Sequence, residues 1–389
     1  MLKNSNKLIF KFFISFSICL VIFLNNHIFS SSIIDKNYLD ITSNSAVVID
    51  YVSGRTLYEK NATQKKKMAS LTKIMTSILL VENCDLDEMV EVPKEAALIG
   101  GSTVGLKYKD MVSVKSLLYG MLLPSGNDCA LTAAIHVAGS VENFAILMNK
   151  KAEEIGLTDT SFANPHGLDN DEHYTSALSM AKITRYALNY DIINEIVNTK
   201  TATINFGSFT KTLNNTNALL RTYSKADGVK TGFTNGANKC LSASATKDDF
   251  RLIAIILDAS TSNVRFNEAK NLLEESFNKY DLYDISNYLH FYICIPVSKG
   301  SKDYYEEKID ENYIIALTQE EYDNIYIKQN LPLKLTPPIK VGDYIGNIEL
   351  YVEDELLYTK NIYAKYNINK NSMKDYLKKQ IKDIFTKNN

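Results

Sequence analysis

From residue 71 onward, apolar side chains recur at Leu71, Ile74, Met75, Ile78 and Leu79. This i, i+3, i+4, i+7, i+8 series gives a helix one core-facing stripe. A second stripe, Val114, Leu117, Leu118, Met121 and Leu122, predicts a helix over 114–122, and Pro124 stops it. The run "CALTAAIHVAG" (129–139) is apolar all round, as a fully buried helix would be. Elsewhere the favoured residues are those of strands. "AVVIDYVSGRTLYEKN" (46–61) carries two such runs around Ser53-Gly54 and predicts a hairpin. "KCLSASAT" (239–246) and "RLIAIILD" (251–258) predict adjacent strands joined across 247–250. Hairpins at both ends with helices between them imply an α+β domain over 36–283, an antiparallel sheet flanked by helices.

The pattern changes beyond about residue 284. Short β-like runs, "FYICIPVS", "NYIIALT" and "NIELYVEDELLYT", are separated by turn signals at Lys299-Gly300, Pro337-Pro338 and Gly342-Asp343. They predict a small all-β domain over 290–367. In the tail, 371–389, Met373, Tyr376, Leu377, Ile381, Ile384 and Phe385 fall on one helical face and lysines 374, 378, 379 and 382 largely on the other. Such a basic amphipathic helix can lie on an anionic membrane surface, or pack on its own domain. At the opposite end, Lys3, Lys7 and Lys11 precede "FFISFSICLVIFL" and then small residues. That order predicts an export signal over 1–31, with an uncleaved N-terminal anchor as the alternative.

Composition narrows the function classes. The 389-residue chain is 45% hydrophobic and 23% charged, as in ordinary globular proteins. A formal net charge of −2 gives no reason to expect nucleic-acid binding. The cysteines (19, 84, 129, 240, 294) are scattered without CxxC spacing, and the five histidines show no ligand spacing. Neither a disulfide framework nor a metal or other cofactor is expected.

The candidate chemistry begins in "MASLTKIMT" (68–76), where Ser70 and Lys73 lie three residues apart. On a helix they share a face, and a lysine at the edge of a buried helix loses proton affinity. The pair then reads as a serine nucleophile with a lysine base. SxxK recurs at Ser179, Ser208, Ser244 and Ser276, where surface lysines are expected; only at Ser70 does it head an apolar helix. "SGN" (125–127) lies in a tight loop between two hydrophobic helices; taken alone, Ser125 and Asn127 read as helix caps. "KTG" (230–232) follows Asp227-Gly228, a turn signal, and precedes the two predicted strands. An edge strand there can offer Lys230 and Thr231 to a carboxylate, and Gly232 lets a ligand approach the backbone.

Together, in the order SxxK…SxN…KTG, these motifs resemble the signature of penicillin-binding proteins and class A β-lactamases. "LLPSGNDCA", "NPHGL" and "GVKTGFTNGANKCLSASA" are similar to the low-molecular-mass penicillin-binding proteins, the serine-type D-alanyl-D-alanine carboxypeptidases of the S11-like peptidase family. The resemblance covers about residues 44–280, and "PPIKVGDYIGNIELYVEDELL" extends it to the second domain. It implies a transpeptidase-like catalytic domain, the D-Ala-D-Ala end of a peptidoglycan stem peptide as substrate and β-lactams as inhibitors. It also implies roles. Ser70 attacks the carbonyl, Lys73 takes its proton, and Ser125 passes a proton to the leaving D-alanine. Asn127 holds the peptide, while Lys230, Thr231 and Gly232 receive the terminal carboxylate, with Arg265 adding charge unless it is only a surface arginine. The backbone N–H groups of Ser70 and Phe233 form the oxyanion hole. His166 in "NPHGL" takes a structural turn role.

One departure bears on mechanism. Class A β-lactamases use a glutamate between SxN and KTG to activate the deacylating water. Here Asp169, Asp171 and Glu172 occur without that surrounding pattern. An exported, penicillin-inhibited D,D-carboxypeptidase is therefore expected, ahead of a β-lactamase and of a non-catalytic peptidoglycan-binding scaffold.

Overall fold

The computed structural model describes residue 39 and residues 41–374. The expected export signal and nearly all of the expected tail helix lie outside the described residues. The first domain is built on a five-stranded antiparallel sheet. Its strands are β1 (Ser45–Asp50), β2 (Thr56–Lys60), β3 (Ala226–Thr234), β4 (Asn238–Lys247) and β5 (Phe250–Ala259), in spatial order β2-β1-β5-β4-β3.

Both faces of this sheet are covered, which explains why β5 reads as a continuous apolar run. Successive strand residues point to opposite faces. Val47, Ile49, Ile253, Ile255 and Leu257 enter a large helical core, while Ala46, Val48, Leu252, Ala254 and Ile256 enter a second core. The second is closed by helix α7 (Ser262–Lys279) through Ala269, Leu272, Leu273 and Phe277. The large core is filled by α1 (Thr72–Asn83), α2 (Val114–Leu122), α3 (Asn127–Ala138), α4 (Val141–Glu154), α5 (Ala177–Ala187) and α6 (Asp191–Asn198). Helix starts follow ordinary capping rules. Ser113, Ser140, Ser176 and Thr261 accept a backbone N–H at the heads of α2, α4, α5 and α7. Helix α3 differs: its N-cap is Gly126 and no side chain caps it, so the capping reading of Ser125 and Asn127 fails.

Strand β3 is a sheet edge, paired on one side only, with Lys230 opposite Ser242 and Gly232 opposite Cys240. Asp227 and Gly228, expected as a turn before it, lie inside it at a break in register. The strand continues there because the Asp227 carboxylate is held by Ser244 and Thr246 hydroxyls and by Arg251 at 3.0 Å.

The C-terminal segment forms β6 (Asp281–Asp284), β7 (His290–Pro296), β8 (Tyr304–Asp310), β9 (Ile314–Leu317), β10 (Ile325–Asn330), β11 (Tyr344–Val352) and β12 (Glu355–Tyr363). It is a small β domain with one short helix, Gln319–Asp323. Its pairings are β6 with β9, β7 with β8, and β10-β11-β12. Ala316 of β9 joins the core behind the main sheet, and its amide N–H donates to Asp50 at 3.3 Å. Beside it, Arg55 is buried. Its guanidinium donates to the Ala316 carbonyl (2.8 Å), to both oxygens of Glu321 (2.9 and 2.6 Å) and to Glu355 (2.8 Å). Removing one partner of a buried ion pair strands the other charge. Arg55→Ala should therefore cost about 3–5 kcal/mol in urea unfolding, far more than an exposed pair would. A loss below about 1 kcal/mol would show that Glu321 finds other solvation.

Candidate active site

The site is assembled where the start of α1, the start of α3, the loop 164–173 and the edge strand β3 meet. Ser70 sits in a single 3-10 turn, Ala69–Leu71, that leads into α1. Ala69, just before it, has φ +49°, a left-handed conformation that costs a non-glycine residue free energy and persists only when neighbours enforce it. Two close approaches do so. A Cβ on Gly167 would fall 2.0 Å from the Ala69 carbonyl oxygen. One on Gly232 would fall 3.0 Å from the Met68 carbonyl oxygen and 3.2 Å from the Ser70 nitrogen. The Ser70 turn passes tightly against β3, so a side chain at Gly232 would press on the protein's own backbone as well as on any ligand.

A hydrogen-bond relay fixes the same turn. The His173 Nδ1 accepts from Ala163 N–H (3.0 Å), which leaves Nε2 to donate to Thr72 Oγ1 (2.7 Å); Thr72 donates onward to the Ala69 carbonyl (2.7 Å). Burial first, then the Lys73 charge, pushes His173 down to about 4, although Asp169 pulls the other way, so this neutral tautomer holds at neutral pH.

Lys73 is fully buried, with 0% of its surface exposed. Its Nζ donates to Ser70 Oγ (3.1 Å), Asn127 Oδ1 (2.7 Å) and the His166 carbonyl (2.7 Å). All three acceptors are neutral. Burial lowers the amine to about 7, against a partial upward pull from Cys129 and Asp128. Asn127 is locked in this orientation because its Nδ2 donates to the Gly100 carbonyl (2.8 Å). Asp128, next to it, accepts from the backbone N–H groups of Val104, Gly105, Leu106 and Cys129, which holds the glycine-rich loop against α3. Ser125 is buried with φ +71°, and among the described residues its Oγ has no hydrogen-bond partner.

On β3, buried Lys230 donates to the Thr231 carbonyl (2.8 Å), and Thr231 Oγ1 shares a hydrogen bond with Thr216 Oγ1 (2.7 Å). Burial, then the charges of Lys73 and Arg265, hold Lys230 well below the ordinary lysine range. Arg265 is no surface arginine. It is buried on α7 and donates from Nη1 to the carbonyls of Gly232 (2.9 Å) and Cys240 (3.1 Å), so it braces β3 from behind. Phe233, which follows Gly232, is 52% exposed. Lys73, Lys230 and Arg265 form a cationic group, and among the described residues none has a carboxylate partner. The site is electrostatically open to an anion.

His166 contributes its main chain. Its ring is held down to about 3 by burial and by Lys73 and His173, so it stays neutral, while its carbonyl receives the Lys73 ammonium. "NPHGL" makes that carbonyl available: Asn164 Oδ1 accepts from the N–H of His166 (3.3 Å) and Gly167 (2.7 Å), a side-chain turn. Asn164, Asp128, Thr216 and His173 are positioning residues that linear reading missed. Asn164 alone carried a local signal, as Asn before Pro favours a turn.

Among the described residues, no carboxylate hydrogen-bonds to Ser70 or Lys73. Asp169 is engaged by Thr234 Oγ1 (2.7 Å) and Gly236 N–H (3.0 Å), and Asp171 pairs with Lys67 with its own side chain 98% exposed. At two other SxxK sites the serine donates elsewhere, Ser179 to Asp159 and Ser244 to Asp227.

Comparison with known proteins gives matches over both domains. Residues 32–261 match the family model described as D-alanyl-D-alanine carboxypeptidase, and residues 293–370 match that of the penicillin-binding protein 5 C-terminal domain. The chain is 34% identical to D-alanyl-D-alanine carboxypeptidase DacF of Bacillus subtilis over 347 residues, 87% of this chain and 89% of the relative. It is also 34% identical to DacC of Escherichia coli, covering 83% of each chain. Among solved structures, penicillin-binding protein 5 of Haemophilus influenzae superposes with a TM-score of 0.75 at 28% identity, over 85% of this chain and 99% of that one.

The buried amine has a thermodynamic signature. Lys73 titrates near 7 in the folded chain and near 10.5 when ordinary. Between those values the unfolded chain binds more protons, so stability rises with pH. Lys73 should contribute about 1.4 kcal/mol per pH unit across that window. Lys73→Met should remove this slope and be the more stable protein at pH 7, as read from urea unfolding at pH 7, 8 and 9. Parallel slopes in the two proteins would mean that the amine is not desolvated.

Proposed function

The chain belongs to the D-alanyl-D-alanine carboxypeptidase family, and from that premise we propose how its residues perform the reaction. It is a serine hydrolase that releases the terminal D-alanine of peptidoglycan stem peptides and binds penicillin. The observation that carries the residue-level reading is the 3.1 Å contact between Lys73 Nζ and Ser70 Oγ, with the amine lowered to about 7. A base poised near the working pH is the efficient one.

In this reading the substrate's terminal carboxylate settles among Lys230, Thr231 and Thr216, answering the unpaired cationic group. Ser70 Oγ attacks the penultimate carbonyl carbon as its proton passes to Lys73. The developing oxyanion lies between the backbone N–H groups of Ser70 and Phe233, each donor contributing on the order of 3–4 kcal/mol. Ser125, whose buried hydroxyl has no hydrogen-bond partner among the described residues, gives its proton to the departing D-alanine nitrogen as the C–N bond breaks and is reprotonated by Lys73, which returns to the neutral amine. Water then attacks the Ser70 ester as Lys73 takes its proton, and that proton returns to Ser70 Oγ as the ester C–O bond breaks and the shortened peptide leaves. Asn127 orients Lys73 through Oδ1, and turning this amide toward the peptide would free the lysine. With no carboxylate on Ser70 or Lys73 among the described residues, a β-lactam acyl-enzyme lacks the base that would clear it quickly. That favours the carboxypeptidase over the β-lactamase reading.

We also propose that residues 1–31 direct export, that the enzyme acts at the extracytoplasmic face of the cytoplasmic membrane or in the cell wall, and that the 371–389 tail can rest on the membrane surface. These follow from the charge and apolar patterns of the termini.

Two measurements test the reading. Incubation with penicillin, followed by intact mass and peptide mapping, should give one long-lived adduct on Ser70, and D-alanine should be released from a pentapeptide. Rapid penicillin loss without an adduct would instead indicate a β-lactamase, and inertness toward both compounds would refute catalysis. Separately, Lys230→Met should lower kcat/KM for the free-acid peptide by about 10- to 100-fold, the value of a charged hydrogen bond of 1.5–3 kcal/mol. It should change turnover of the C-terminal amide far less. Equal losses on both substrates would remove Lys230 from carboxylate recognition.

A further inference from the structure

At the end of α1 away from Ser70, three side chains from separate elements converge. Cys84 is the residue after the last turn of α1, Glu88 lies in the loop that follows it, and His136 is in the last turn of α3. Their Sγ, carboxylate oxygen and ring nitrogen all lie within 4.8 Å of one another, with His136 Nε2 and Glu88 Oε1 at 2.8 Å. Cys84 is half-buried and the other two are exposed, so the group is reachable from solvent.

We propose that Cys84, Glu88 and His136 form a Zn²⁺ site distinct from the catalytic centre. The donor set argues for it: one thiolate, one imidazole and one carboxylate suit a borderline divalent ion, and three protein ligands leave water the fourth tetrahedral position. Zinc bonds of about 2.0–2.3 Å set ligand atoms about 3.3–3.5 Å apart in a tetrahedron. The observed atoms bracket that spacing, with Nε2 and Oε1 at 2.8 Å and all three within 4.8 Å of one another.

The surroundings supply a second, independent argument. Helices α1 and α3 pack together and both end at this cluster, so the negative ends of two helix dipoles point toward it. Asp85 adds negative potential around Cys84. On binding, the Cys84 thiol proton leaves to water, and His136 Nε2 and Glu88 Oε1 exchange their mutual hydrogen bond for bonds to the ion, with the imidazole proton moving to Nδ1. Each helix has 12 residues, about 18 Å of axial rise. Ser70 and Asn127 are at their opposite ends, so the ion would clasp together the far ends of the two helices that present the catalytic groups.

Cobalt is the probe, because a Co²⁺–thiolate bond gives a charge-transfer absorption that oxygen and nitrogen ligands do not. The purified protein should develop this band with one equivalent of Co²⁺ and lose it when Zn²⁺ is added. Cys84→Ser should abolish the band, and His136→Ala should weaken binding at least ten-fold, while both variants still form the penicillin adduct as proof of folding. No thiolate band in folded wild-type protein would overturn the site. So would a band that survives Cys84→Ser, since the metal would then sit on Cys294 or another thiol.

Discussion

The burial of the Lys73 amine is the constraint on which the rest of the structure depends. An ammonium placed among neutral oxygens loses its hydration and gains only hydrogen bonds, so its proton affinity drops into the range where it can serve as a base. A single carboxylate at hydrogen-bond distance would reverse this and fix the amine as a cation. The fold keeps carboxylates away from it. Asp128, one residue from Asn127, turns its charge to four backbone N–H groups. Asp169 is consumed by Thr234 and Gly236. The polar groups that do reach Lys73 are an amide, a hydroxyl and a main-chain carbonyl.

That arrangement is unfavourable to stability, and it is concentrated in one place. Ala69 and Ser125 both hold left-handed backbone, the Ser125 hydroxyl is buried with no partner among the described residues, and Lys230 is buried near two other cations. Strain of this kind collects at functional sites because the surrounding packing over-determines them. Here the packing is a sheet buried on both faces, with separate apolar cores in front and behind. The rear core matters to the front site. Through it α7 carries Arg265 to the carbonyls of Gly232 and Cys240, fixing the strand on which Lys230 and Thr231 stand.

Sequence periodicity located the elements well where the signal is local. The 114–122 helix matches the observed bounds of α2, and the strands expected over 239–246 and 251–258 fall within β4 and β5. The Ser70–Lys73 spacing was readable for the same reason, since three residues along a helix set one contact. Long-range placement was not readable this way. Asp227-Gly228 looks like a turn, but three partners from β4 and β5 hold it inside a strand. Ser125 and Asn127 look like caps, yet Asn127 is drawn to a lysine 54 positions away. Arg265 reads equally as added charge near the carboxylate end or as a surface arginine, and its burial behind β3, on the carbonyls of Gly232 and Cys240, has no local signal. Cys84 and Glu88 lie four residues apart, but His136 is 48 positions from Glu88, so the fold and not the linear pattern brings the three together.

This contrast explains what the three short motifs encode. SxxK sets the spacing of Ser70 and Lys73, but even its turn is held by Gly167, Gly232 and the His173–Thr72 relay. The SxN loop and the KTG strand are brought to it by the cores, so their meaning lies in the fold that joins them, and each alone would be an ordinary loop or edge strand. Gly232 makes the dependence concrete. Its missing side chain creates room for the Met68–Ser70 turn to lie against β3, and this places the Ser70 N–H beside the strand that carries Phe233. One hydrogen atom in place of a methyl group thus lets the Ser70 turn lie against the strand that carries Lys230, Thr231 and Phe233. A methyl at position 232 would press on the Ser70 turn before it met any substrate.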